Sequence, residues 1–178
     1  MQEKRKYLSK TWYDPRLEIR PSSIQGNGMI ATQAIQEGET VVINGGTVLS
    51  DAEFQAYITN LSRYNAIQIG EDAHMVEIYA TPDELIGGMN HSCDSNLWMS
   101  DEVTFVARKA IAVDEEVTVD YALFTTLPHW VLEQPCCCGS PVCRQTVSGS
   151  DWQRKDVRER YRDHFSPFIN ERIRVNKR

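Results

Sequence analysis

The stretch Asn90-His91-Ser92-Cys93-Asp94-Ser95-Asn96, "NHSCDSN", follows Gly87-Gly88-Met89 and precedes Leu97-Trp98-Met99. It crowds two amides, an imidazole, a thiol and a carboxylate between apolar neighbours. Two readings compete at this point. Asn, Ser and Asp gather in turns because their side chains hydrogen-bond nearby backbone, and an isolated Cys packs as a small hydrophobe. Alternatively, these side chains converge on a ligand. The rest of the chain has to decide.

Downstream, Cys136-Cys137-Cys138-Gly139-Ser140-Pro141-Val142-Cys143 contains C-x-C-x4-C. The Gly-Ser-Pro turn brings the chain back, so three thiolates can face one ion. A closed structural zinc site takes four ligands. Cys137 offers a further sulfur, but it points away if both neighbours bind. The only other cysteine is Cys93. Cys93, Cys136, Cys138 and Cys143 therefore form the candidate zinc set, tying the opening stretch to residues 136–143. The alternative is an incidental cysteine loop, against which stands the oxidation hazard of free thiols facing solvent.

Bulk properties narrow the setting. A chain of 178 residues has room for one domain with a real core. No apolar run approaches the roughly 18 residues of a membrane helix. The start, "MQEKRKYLSK", has no apolar stretch behind it and does not read as a secretory signal. The expectation is a cytoplasmic or nuclear protein, not secreted, with reduced cysteines. Net charge is -6, but residues 21–150 carry four Lys/Arg against seventeen Asp/Glu. An acidic body repels nucleic-acid backbone and attracts cationic ligands. Plain solubility is the blander reading of the same charge.

Short strands dominate. "RLEIR" (16–20) alternates, and "GETVVI" (38–43) is β-branched behind a turn. "YNAIQIG" and "HMVEIY" flank Gly70-Glu71-Asp72 as a hairpin. "VTFVAR" (103–108) and "EVTVDY" (116–121) alternate around a turn in "VDEE". Ser50-Asp51-Ala52-Glu53 is a capping box, with Phe54, Tyr57, Ile58 and Leu61 at helical spacing behind it. Thr81-Pro82-Asp83-Glu84 is a second such box. Val157, Tyr161 and Phe165 predict a third helix over about 151–165, started by Asp151 and ended by Ser166-Pro167.

Four motifs, in order, resemble those of the SET-domain protein-lysine methyltransferases. "IQGNGMIA" (24–31) is similar to the family's early Gly-x-Gly segment, and "NHSCDSN" (90–96) to its N-H-x-C-x-P-N. "DEEVTVDY" (114–121) is similar to its E-E-L-x-x-D-Y, and "CCCGSPVCR" (136–144) to the post-SET zinc motif C-x-C-G-x-x-x-C-R. The resemblance implies a β-rich α+β, SET-type fold of several small sheets. In it the "NHSC" and "DY" segments meet in a pseudoknot-like threading, against the usual rule of untangled chains. It also implies a division into residues 1–134, the SET domain with a basic lead-in, 135–147, the post-SET zinc segment, and 148–178, a C-terminal helical extension.

By the same resemblance the chain is an S-adenosylmethionine-dependent methyltransferase acting on a lysine of a basic protein or peptide. Cofactor would lie on one face of the meeting point, and lysine would enter a narrow channel from the other. Asn90 and His91 would border the adenosine part of the cofactor. Gly26, Asn27 and Gly28 would admit its methionine part, with Tyr64 as a cofactor-side tyrosine. Tyr121 would be the catalytic tyrosine, and Cys93, Cys136, Cys138 and Cys143 would hold structural zinc. The alternative implied is a zinc-stabilised module of the same fold that binds basic peptides with little turnover. The chain departs from the family at Gly87-Gly88, where Arg-Phe is usual, and at Ser95, where Pro is usual. Ile43 replaces a Glu, and Asn44 stands where many members have a channel tyrosine.

Overall fold

The structure is a computed structural model, and it describes residues 6–61, 64–78 and 88–175. The capping box at Thr81 and Gly87 lie outside the described residues. Eleven short strands form three small sheets among these residues. The first sheet contains β1 (Trp12–Tyr13), β4 (Thr40–Ile43), β10 (Thr104–Ala107) and β9 (Leu97–Met99), in the order β1-β4-β10-β9. The second contains β2 (Leu17–Pro21), β3 (Asn27–Ala31), β11 (Glu116–Val119) and β8 (Asn90–His91), in the order β2-β3-β11-β8. The third contains β5 (Thr47–Leu49), β7 (Ala73–Glu77) and β6 (Asn65–Gly70), in the order β5-β7-β6. The hairpin expected at Gly70 is present, with Gly70 paired to Ala73.

Alternation explains the inward faces. Val103, Phe105 and Ala107 point into one core with Val117 and Val119, as period-2 spacing requires. Ala31, Ile35, Val41, Val42 and Ile111 complete it. One pairing departs from the antiparallel pattern: β8 runs parallel to β11, with Asn90 opposite Thr118 and His91 opposite Val119. That contact joins the "NHSC" stretch to the strand leading into Asp120-Tyr121.

The helices differ more from expectation. Helix α1 (Asp51–Ile58) starts with the complete Ser50/Glu53 capping box. Only Phe54 of its expected face is fully buried, and Leu61 lies beyond the helix, exposed. The third helix is not continuous over 151–165. A 3-10 turn at Asp151–Gln153 is followed by α2 (Lys155–Arg160), with no side-chain cap from Ser150 or Arg154. Ser166-Pro167 does not end the structure there: Pro167 opens α3 (Pro167–Val175). Helix α2 has already ended at Arg160, and a proline at the first helical position loses no hydrogen bond, so Pro167 starts a helix rather than stopping one. Val157, Tyr161, Phe165, Ile169 and Ile173 join the main core. Burying each large apolar side chain contributes about 1.5–3 kcal/mol, which anchors the extension. No helix among the described residues is long and apolar enough to cross a membrane.

Candidate active site and metal centre

The parallel β8–β11 contact positions the first group. His91 is buried and accepts the Tyr121 backbone N–H at Nδ1, 3.2 Å away. A backbone N–H can only donate, so Nδ1 carries no proton and Nε2 does. Nε2 lies 3.2 Å from Cys93 Sγ and donates to it. Burial pushes the imidazole pKa down to about 4, against the pull of Asp120, so the ring is neutral at ordinary pH.

Asn90 holds the loop at residues 24–28. Its Nδ2 lies 3.0 Å from the Gln25 carbonyl, 3.1 Å from that of Asn27 and 2.7 Å from Glu116 Oε1. Glu116 Oε2 accepts from Ser22 Oγ at 2.7 Å. Gly26 has φ +53°, a left-handed conformation that costs other residues energy. A Cβ on Gly28 would come within 2.1 Å of Glu116 Oε1, so that carboxylate occupies the space a side chain would need. Gly26, Asn27, Gly28, Asn90 and His91 thus form one neighbourhood, and the loop's own carbonyls are what the amide binds.

Tyr121 begins a short 3-10 turn capped by Asp120, whose side chain accepts the Ala122 N–H. The Tyr121 hydroxyl donates to the Met89 carbonyl at 3.0 Å. Burial pushes its pKa up to about 12, with help from Tyr64, so it stays neutral and keeps its proton. Its ring meets His91, Phe124 and Trp130 at 5.1, 5.7 and 5.9 Å between centroids.

Two cavities of about 230 Å³ each share Tyr121 as a wall. Ile24, Gln25, His91, Leu132, Gln134 and Pro135 are among those lining one. Asn44, Tyr64, Gln68, Met89, Phe124 and Trp130 are among those lining the other. Tyr64 therefore stands apart from Gly26–Gly28 and Asn90, on the far side of Tyr121, edge-on to Phe54. Asn44 is buried in the wall of its cavity, held by Nδ2 donating to the Val103 carbonyl at 2.9 Å.

Cys93, Cys136, Cys138 and Cys143 place their sulfurs within 4.8 Å of one another. Cys137 is exposed, its Sγ turned to the Pro135 carbonyl at 3.4 Å. The separation of Cys93 and Cys136 sulfurs is 4.0 Å. A tetrahedron with Zn–S bonds of about 2.3 Å has sulfurs about 3.8 Å apart, so the donor set fits zinc. With no cation, burial pushes the Cys93 thiol up to about 11 and Cys136 further. Cys138 moves the other way, to about 7, because hydrogen bonds to its sulfur outweigh its burial. A divalent ion removes this conflict by stabilising all four thiolates.

The sequence reading missed several contributors. Asn96 donates to Glu115 Oε1 (2.9 Å) and the Glu116 carbonyl (2.8 Å) and accepts the Thr118 N–H (2.8 Å), stapling the stretch to β11. Its place in the motif was the available signal. Gln68 and Trp130 line the cavity of Asn44 and Tyr64 with no sequence signal at all, since only folding brings residues 68, 121 and 130 together.

Comparison with known proteins agrees with this geometry. A family description, the SET domain, matches residues 26–122, more than half of the chain. The Candida albicans "Histone-lysine N-methyltransferase, H3 lysine-36 specific" is 24% identical over 147 residues, 75% of this chain and 17% of that protein. The Dictyostelium discoideum "Histone-lysine N-methyltransferase set1" is 24% identical over 145 residues, 75% of this chain and 9% of that protein. The chain thus spans less than a fifth of either relative. The crystal structure of the methyltransferase domain of human "Histone-lysine N-methyltransferase SETMAR" has the same fold, with a TM-score of 0.58, 23% identity, and 74% of this chain and 57% of that one covered. With the strand pairing, the shared tyrosine wall and the matched residues in agreement, the chain belongs to the SET-domain family.

Proposed function

We propose that this chain is a protein-lysine methyltransferase that uses S-adenosylmethionine and is stabilised by zinc. The observation that carries the reading is the position of Tyr121 between two cavities, so that a donor on one side and an acceptor on the other meet at its hydroxyl. The cavity at Gln25 and His91 suits the cofactor. It offers apolar walls at Ile24, Leu132 and Pro135, an aromatic face at Tyr121, and amides at Gln25 and Gln134. Beside it, nothing lies within 4 Å of where a Cβ of Gly26 would be, so ligand can approach that backbone. Asn90, Gly26, Asn27 and Gly28 shape this side, and His91 edges it. Tyr64 and Asn44 belong to the acceptor side.

The sulfonium of the bound cofactor supplies the activated methyl group. The protein's task is alignment. Tyr121 is neutral and already donates to Met89, so its hydroxyl oxygen is left to accept from the incoming amine or polarised methyl. The amine must lose its proton first, and free lysine holds it to about pH 10.4. Transfer into a cavity walled by Phe124, Trp130 and Tyr64 favours the neutral amine by desolvation. The acidic body attracts a basic protein substrate. Cys93, Cys136, Cys138 and Cys143 would hold zinc and close residues 135–147 over the cofactor side, next to Pro135 and Cys136 of the cavity wall.

Calorimetry with the cofactor, followed by transfer of a labelled methyl group to an extract of basic proteins, tests the proposal. Binding with labelled lysine in the products is expected. Binding without any transfer would support the peptide-binding module instead, and failure to bind at millimolar cofactor would remove both cofactor and enzyme readings.

A further inference from the structure

Behind Tyr121 lies a buried ion network that the reaction itself does not use. Arg144 follows the last cysteine of the metal segment, and its side chain is 2% exposed. Its two terminal nitrogens fork onto Asp120, each 2.7 Å from one carboxylate oxygen. Asp120 is fully buried and caps the turn that carries Tyr121. Arg144 Nε also lies 2.7 Å from Asp151 Oδ2, an ionic contact with the N–H out of line for a hydrogen bond. At its other end the Arg144 backbone N–H donates to Cys93 Sγ at 3.3 Å.

A second path joins the same two places. Cys93 Sγ accepts from His91, and His91 accepts from the Tyr121 N–H. Two struts therefore run from Cys93 Sγ to the turn at Asp120-Tyr121. One passes through the ring of His91, the other through the guanidinium of Arg144. Buried ion pairs contribute little net stability, because desolvating both charges offsets their attraction. What a planar two-pronged fork supplies is geometry.

Resting on the reading of Tyr121 given above, we propose that Arg144 is a positioning residue for Tyr121. Its fork fixes Asp120, and with it the turn that aims the Tyr121 hydroxyl between the two cavities. Ordering of the metal segment and alignment of the methyl acceptor are then one event rather than two.

The test uses the full chain with two replacements. Arg144→Lys keeps a positive charge beside Asp120 but cannot fork. Arg144→Met combined with Asp120→Asn and Asp151→Asn leaves no charge of this network unpaired and keeps an oxygen to cap the turn. Metal analysis and thermal melting establish that each variant is folded and loaded. The ring resonance of Tyr121 is read by tyrosine-selective NMR, assigned through Tyr121→Phe, with Tyr13 in β1 as the internal reference. In both variants the Tyr121 resonance is expected to move while that of Tyr13 stays, with metal content unchanged. On a lysine peptide kcat is expected to fall at least about tenfold, while KM changes less than about threefold. Folded, metal-loaded variants with an unmoved Tyr121 resonance and wild-type kcat would overturn the proposal. So would loss of metal and fold in both variants, which would make Arg144 a fastener of the segment alone. If the wild-type chain transfers no methyl group, the functional reading fails, and the resonance alone decides the role of Arg144.

Discussion

The proposed chemistry rests on the Tyr121 hydroxyl, and Tyr121→Phe removes that hydroxyl while keeping the ring against His91, Phe124 and Trp130. The lost bond to Met89 is worth about 0.5–1.5 kcal/mol of net stability, so the variant should fold and bind cofactor. Methyl transfer should drop at least about tenfold, equal to about 1.4 kcal/mol of barrier. Single-turnover kinetics on a lysine peptide would measure it, and an unchanged rate would take Tyr121 out of the mechanism. Asn44 makes the complementary experiment. It lines the cavity of Tyr64 and Trp130 with its amide anchored on Val103. Asn44→Tyr adds a ring to that wall and should shift products toward fewer methyl groups, read by mass spectrometry of the peptide. An unaltered pattern would mean that this wall does not limit methyl number.

Elements are held to the site by a few buried polar contacts, and Ser95 shows how. The family pattern has proline there, yet the Ser95 backbone N–H donates to the Tyr161 hydroxyl at 3.1 Å. Proline has no N–H to give. The same hydroxyl reaches the Cys93 carbonyl at 3.3 Å, so the region of α2 plugs into the "NHSC" stretch through one tyrosine. Ser95→Pro should leave Tyr161 short of a donor in a buried place and destabilise the fold by about 1–3 kcal/mol. Urea unfolding would show it as a lower midpoint. Tyr161→Phe combined with Ser95→Pro should recover part of the loss, because it removes the stranded hydroxyl, and only part, because the Cys93 carbonyl loses its donor. Equal midpoints for wild type and Ser95→Pro would sink this account.

Metal and pH act on the whole molecule. One zinc per chain is expected, and Cys93→Ser should release it and loosen residues 135–147, since the site links segments distant in sequence. A folded, metal-free protein, or a disulfide among these cysteines, would contradict the zinc assignment. At alkaline pH the telling group is Tyr13, which burial and then Glu77 push up to about 12. Its folded pKa exceeds the ordinary value near 10. The associated stability is complete below pH 10 and is lost as pH rises toward 12. Carboxylates act in the opposite sense. Asp14, hydrogen-bonded by Arg16, sits below the usual range, so its contribution is present above about pH 4 and fades in acid. Unfolding free energy measured across pH should show both flanks, and Tyr13→Phe should make the alkaline one shallower, with Tyr121 supplying part of what remains.

The sequence by itself determined the alternating strands, the cap of α1, the order of the four motifs and the pairing of Cys93 with a cysteine segment more than forty residues away. These were legible because each depends on local periodicity, or on a residue type with few other uses. The break between α2 and α3 was not, since Pro167 is as fit to start a helix as to stop one and only packing of Ile169 and Ile173 chose. The sequence also could not say on which side of Tyr121 a given residue lies. Tyr64, Asn44 and Gln68 reach the same cavity beside Tyr121 from separate places in the chain, a relation carried by no short stretch. The Arg144–Asp120 fork belongs to the same class, as twenty-four residues separate partners whose side chains meet at 2.7 Å. Contacts between distant segments gain their energy only once the intervening chain is ordered, so tertiary structure decides them.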